Sequence, residues 1–146
     1  MIEPLSWPPE WKGKSPRKSL LSGLPFIGPE QKAYKFVAKQ LESRASSALE
    51  LWGKNAERRK LADYCSDLFR AELGWPNGLF IPQDPFEIVS WDRFSTVVDE
   101  LRIPSIISKI EQHVGIQPLW DEWWSESSKL TYGEVIDRLQ ALATVP

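Results

Sequence analysis

Apolar residues in this chain recur three or four positions apart, and that interval admits one kind of secondary structure. Tyr34, Val37, Leu41, Ala45, Ala48 and Trp52 form one such series, and Leu61, Tyr64, Cys65, Leu68 and Phe69 form a second. At about 3.6 residues per turn these positions share one helix face, whereas a strand would throw them to both sides of a sheet. No stretch alternates apolar with polar residues as a half-buried strand does. The expectation is an all-α fold: a single bundle of about five or six helices with a long Pro-rich N-terminal arm and long loops.

Prolines, glycines and capping residues place the helix ends. The first helix is predicted to start at Pro29, to carry its stripe as far as Trp52 and to stop at Gly53. Asn55 caps the next helix and Gly74 closes it, and the short connection makes the two antiparallel neighbours. "GWPNGLFIPQDPFEI", residues 74 to 88, reads as a structured loop. In Asp84-Pro85-Phe86-Glu87 the aspartate reads as a helix cap, the proline as the first helical residue and the glutamate as the third. That helix either runs to Leu101 or breaks near Trp91 and restarts with Asp92 as its cap.

Pro104 is expected to begin a further helix, with Ile106, Ile107, Ile110 and Val114 inward and Gly115 at its end. After the loop "IQPLWDEWWSESSK", Thr131 and Glu134 form a capping box. Leu130 and Val135 stand at the staple positions, and Ile136, Leu139 and Leu142 complete the last stripe.

At 146 residues the chain is expected to divide into an arm, residues 1–28, and one helical domain, residues 29–146. A chain of this size buries roughly 68–70% of its unfolded surface and folds without metal or disulfide. The arm holds five of the 12 prolines, Pro4, Pro8, Pro9, Pro16 and Pro25, and a local excess of positive charge from Lys12, Lys14, Arg17 and Lys18. It reads as a solvated tail that Trp7 and Trp11 pin to the domain.

The net charge of −2 supplies no basic field for nucleic acid, so no nucleic-acid partner is expected. The lone cysteine, Cys65, excludes an internal disulfide, and its place on an apolar stripe predicts a buried thiol. No apolar run has the length of a membrane span. "MIEPLSWPPEW" lacks the basic-then-apolar order of a signal peptide, so a cytoplasmic protein without membrane contact is expected.

The lone histidine, His113, sits near a helix end with no nucleophile beside it in sequence. Glu111 is two residues away, the wrong interval for a Glu-x-x-His metal pair. The carboxylate pairs Asp99–Glu100 and Asp121–Glu122 and the basic run "NAERRK" at 55–60 read as solvated surface. Neither a glycine-rich phosphate loop nor a G-x-S-x-G elbow occurs. No catalytic residue, metal or cofactor is predicted.

"LADYCSDLFRAELG", "IISKIEQHVGI" and "LTYGEVIDRLQAL" follow one another between about Leu61 and Leu142. In that order they resemble an acyl carrier protein, a small helical bundle. Its second helix opens at Asp-Ser-Leu, and the serine takes a phosphopantetheine arm. Counting back from Val114-Gly115 by the family's interval puts Asp99-Glu100-Leu101 on that triplet. Since a carboxylate cannot accept the arm, the resemblance implies a carrier-shaped domain without its cofactor. A shifted register puts Ser105 in the serine place and implies loading there. The chain departs from the family at Pro104, which falls inside the second helix. The loop from Trp75 to Trp91 is also long, and residues 1–54 have no counterpart.

Eight tryptophans imply either several large core anchors or a gripping surface. "PLWDEWWSES" is the best candidate surface, with Trp120, Trp123 and Trp124 among Asp121, Glu122 and Glu126. The same spacing also folds one short amphipathic turn onto a core. The expected contact residues are Trp120, Trp123, Trp124, Asp99, Glu100 and Arg102. The expected function is non-enzymatic: a helical protein acting through a protein partner, as a carrier-like, regulatory or immunity-type module. A carrier loaded at Ser105 and an enzyme with a site assembled from scattered residues are the alternatives.

Overall fold

In the computed structural model, which describes residues 2–9, 29–92 and 102–143, the chain is all-α. Its helices are α1 (Pro29–Glu42), a 3-10 helix (Ser46–Trp52), α2 (Ala56–Leu73), α3 (Phe86–Val89), α4 (Arg102–Val114), α5 (Asp121–Ser127) and α6 (Tyr132–Ala143). No strand occurs among the described residues; an isolated antiparallel bridge joins Pro85 to Thr131.

α2 is the axis of the bundle, packed against both α4 and α6. The Asn55 side chain accepts from the Arg58 amide at its start, and Gly74, at φ 75°, closes it in the left-handed conformation. Its buried stripe, Leu61, Ala62, Cys65, Phe69 and Leu73, meets Ile106 and Ile110 of α4 and Val135, Ile136 and Leu139 of α6.

The expected capping box opens α6. The Glu134 amide donates to the Thr131 hydroxyl oxygen, and the Thr131 amide donates to the Glu134 carboxylate. The two amides in between donate to carbonyls of the preceding loop, Tyr132 to Asp84 and Gly133 to Pro82. Every free N–H of this helix start is therefore satisfied.

The predicted first helix is broken. α1 ends at Glu42, Ala45 is extended, and the chain rewinds as a 3-10 helix to Trp52, where Gly53 stops it at φ 83° as expected. Ser43 starts the break by donating its hydroxyl to the Gln40 carbonyl. The change of register turns Arg44 inward in place of Ala45 and still buries Ala48 and Trp52. Asn77 holds the frayed end by donating to the Leu41 carbonyl.

Asp84 is not the cap that its sequence context predicted. Pro85 occupies the cap position of α3, and Asp84 is fully buried as the acceptor for the inward Arg44, at 2.7 and 2.8 Å. Its two oxygens also take the amides of Leu5 and Ile81. α3 itself ends at Val89, short of both predicted ends, and any restart beyond Asp92 lies outside the described residues. α4 starts at Arg102, so Pro104 lies within its first turn, where it removes no helical hydrogen bond. The segment expected to be a loop before α6 contains α5.

Residues 2–8 form neither helix nor strand, and Leu5 and Trp7 are part of the core. Trp11 lies outside the described residues. Trp52 and Trp75 are buried too, their indole N–H groups donating to the carbonyls of Phe80 and Val89. Among the described tryptophans Trp7, Trp52 and Trp75 are core anchors, and Trp91, Trp123 and Trp124 are partly buried against the core.

Candidate functional site

The tryptophan segment is held in place from α4. Gly115, at φ 82°, ends that helix, and the Glu111 carbonyl accepts from the amides of Gly115 and Ile116. The buried Glu111 carboxylate then reaches along the loop, where its Oε2 accepts from the Leu119 amide at 2.6 Å and from the Trp124 indole at 3.5 Å. Trp120 follows as the cap residue of α5, and its carbonyl takes the Trp123 amide. Asp121 and Glu122 fill the first turn, where the helix dipole favours negative charge.

The three rings have separate fates. Trp124 is half-buried and packs near Phe86, with ring centroids 6.4 Å apart. Trp123 meets Trp124 edge-on at 4.8 Å, and the Arg138 guanidinium lies 4.6 Å above its ring. Both rings belong to the shell packed against the core. Trp120 is 83% exposed, with Leu51 the other large apolar side chain left in solvent among the described residues.

Of the remaining expected contact residues, Arg102 does not join this surface. Arg102 stands at the far end of α4, about 18 Å away along a helix of this length, and its guanidinium lies 3.6 Å from the Asp92 carboxylate. Asp99 and Glu100 lie outside the described residues. Ser105 is exposed on the first turn of α4.

His113 stacks flat on Tyr64, with centroids 3.6 Å apart and planes 5° from parallel. It borders a groove of about 310 Å³ lined by Glu57, Lys60, Leu61, Val114, Gln140 and Ala143, none of which is a hydroxyl or thiol nucleophile. Among the described residues no cluster of three or more His, Cys, Asp or Glu side chains is placed to hold a metal ion, and no helix is long and apolar enough to cross a membrane.

Two further polar groups are internal. Tyr132 is fully buried and donates to the Ala62 carbonyl at 3.2 Å while the Ser66 hydroxyl contacts its oxygen at 2.9 Å; burial raises its phenol well above the usual value. Burial also pushes the Cys65 thiol up to about 12, which leaves it protonated and unreactive at neutral pH. The Arg44–Asp84 pair was missed in the sequence; its one signal is a lone arginine in a run of serines and alanines.

Fold and site together describe a helical bundle that, among the described residues, presents one exposed tryptophan on a tethered, acidic helix start. Comparison with known protein families, with characterised proteins and with solved structures found no match to this chain.

Proposed function

We propose that this chain is a non-enzymatic interaction module that acts in the cytoplasm by offering Trp120 to a protein partner. The exposure of that one ring carries the reading. A tryptophan covers about 150–250 Å². At about 25 cal/mol per Å², on the order of 4 kcal/mol of transfer free energy stays unused while the ring faces water. Leu119, Trp123 and Trp124 pack against the core, whereas Trp120 does not. Asp121 and Glu122, both exposed, give the surface an acidic edge. The fitting partner presents a pocket for an indole rimmed by Lys or Arg, which answers both the ring face and the carboxylates.

A photo-cross-linking residue placed at position 120 of the full chain, in the native cell, tests this, with position 51 as the exposed control. The expected result is one defined protein adduct at position 120, lost when Asp121 and Glu122 are changed to Lys, and none at position 51. Equal, diffuse labelling at both positions would refute it.

The carrier reading is supported by the exposure of Ser105 alone. It requires that a phosphopantetheinyl transferase and coenzyme A add mass to the intact chain and not to Ser105→Ala.

A further inference from the structure

The segment Ile2–Pro9 lies on the bundle as a bound peptide lies on its receptor. Its backbone is held by side chains of the body. The Leu5 amide donates to Asp84 Oδ1 at 2.9 Å, and Arg44 Nη2 donates to the Glu3 carbonyl at 2.9 Å. Gln40 takes both sides of Ser6, accepting from its amide at 3.1 Å and donating to its carbonyl at 3.0 Å. Leu5 and Trp7, two positions apart, are buried, as is Pro8 beside Trp7, while Ser6 between Leu5 and Trp7 faces solvent. Leu5 is 2% exposed and Trp7 5%. The Trp7 indole also donates to Glu87 Oε1 at 3.0 Å, and its ring meets Trp91 edge-on at 5.1 Å.

Main-chain bonds that any extended peptide can make, together with two shaped places that read an aliphatic residue and a tryptophan, are the two components of peptide recognition. The side chains that read the segment come from α1, from the break that follows it, and from the 84–91 turn. Gln40, Arg44 and Asp84 are fixed to the body by contacts of their own. Arg44 also donates to the Leu79 carbonyl, and Asp84 accepts from Ile81. The groove is therefore specified by the body independently of the segment.

We propose that this groove is a peptide-binding site for an extended segment of another chain carrying an aliphatic residue and a tryptophan two positions apart, and that Ile2–Pro9 is its resident, tethered occupant. The resident belongs to the same chain as the groove, so its competition is intramolecular. A partner segment must outcompete that, so the resident sets the threshold for binding. This is a second surface, separate from Trp120 and independent of it.

The test uses the full chain and a fluorescent peptide with the sequence of residues 2–9. In Leu5→Asp/Trp7→Ala the resident is disabled while every residue that reads it is kept. The peptide should bind this variant saturably, at least tenfold more tightly than the wild type, and a peptide carrying the same Leu→Asp change should not bind. A folded variant that fails to take up the peptide overturns the proposal. Should the variant not fold, hydrogen exchange on the wild-type chain decides instead. Millimolar free peptide should raise the exchange rate of the resident Leu5 amide severalfold and leave the α2 amides unaffected; an unchanged Leu5 rate overturns the proposal.

Discussion

Replacing Asp84 with alanine should bring the domain close to unfolding, for reasons that can be followed donor by donor. The carboxylate accepts from two guanidinium N–H groups of Arg44 and from the amides of Leu5 and Ile81. The Arg44 and Asp84 side chains are 3% and 0% exposed, so the donors do not already face solvent when the carboxylate is removed. Stranding a buried partner charge typically costs about 3–5 kcal/mol. Each orphaned amide adds about 1–3 kcal/mol before the structure relaxes. Relaxation and water entry recover part of this, which leaves a loss of about 5 kcal/mol or more, comparable with the whole stability of many domains. The midpoint of thermal unfolding should fall by roughly 10–20 °C. Arg44→Met removes the stranded cation's half of the pair and leaves Asp84 two amide donors, so it should cost less, about 3 kcal/mol. The double variant separates charge from scaffolding. It should cost less than the sum of the singles by about 2 kcal/mol, because no charge is left unpaired, yet stay below wild type because the amides of Leu5 and Ile81 remain unmet. Urea unfolding followed by far-UV circular dichroism measures all four proteins. Additive singles, or an Asp84→Ala within about 1 kcal/mol of wild type, would show that the pair is not the hub argued here.

Gly133→Ala should destabilise by about 1–3 kcal/mol, since a Cβ there would lie 2.7 Å from Pro82 Cβ, a ring atom with no rotamer to escape into; unchanged urea unfolding would refute it. Trp52→Ala should cost about 3–5 kcal/mol, while Trp120→Ala stays within about 0.5 kcal/mol of wild type; equal losses in the same assay would contradict the burial of one and the exposure of the other. Stability should fall above about pH 9, because the folded chain keeps the Cys65 proton until about pH 12 while the unfolded chain loses it from its ordinary value of 9.0. Tyr132 adds to the loss above its ordinary value of 10.0. Cys65→Ala should flatten the first part of that slope in pH-dependent urea unfolding, and an unchanged slope would refute the assignment. In native buffer Cys65 should resist thiol reagents and label only after urea is added; fast native labelling would mean that the thiol is accessible.

What the sequence revealed and what it hid divide by sequence distance. Asn55, Gly74 and the Thr131–Glu134 box act on atoms within four residues of themselves, so residue type and spacing were enough to place them. Asp84 reads as a cap by the same local grammar, because Asp-Pro commonly opens a helix. Apart from the Ile81 amide, its partners are 40 and 79 residues away, and no local rule sees those. The break after α1 follows from the same contact, since Arg44 must turn inward to reach Asp84, and the stripe up to Trp52 hides that shift of register. At the tryptophan cluster, spacing predicted a face without saying which ring would miss it. That depends on where Glu111 tethers the loop, and hence on the fold of α4.

Asp84 and Glu111 solve one problem in two ways. Both are buried carboxylates that accept backbone amides from segments with no helix or sheet to satisfy them, Leu5 and Ile81 in one case and Leu119 in the other. The first is matched by a bidentate arginine and has four donors. The second has the Leu119 amide and a long contact to the Trp124 indole, with no ion pair among the described residues. A carboxylate with fewer donors holds its segment less firmly, because each charge-assisted bond adds both energy and direction. The segment bearing Trp120 is thus the softer of the two, fixed near its middle and free at the ring. The Ile2–Pro9 groove is the stiffer, with its reading groups locked before any peptide arrives. A stiff groove selects by shape and a softly held ring adapts to its partner, so the two surfaces suit different kinds of contact on one small bundle.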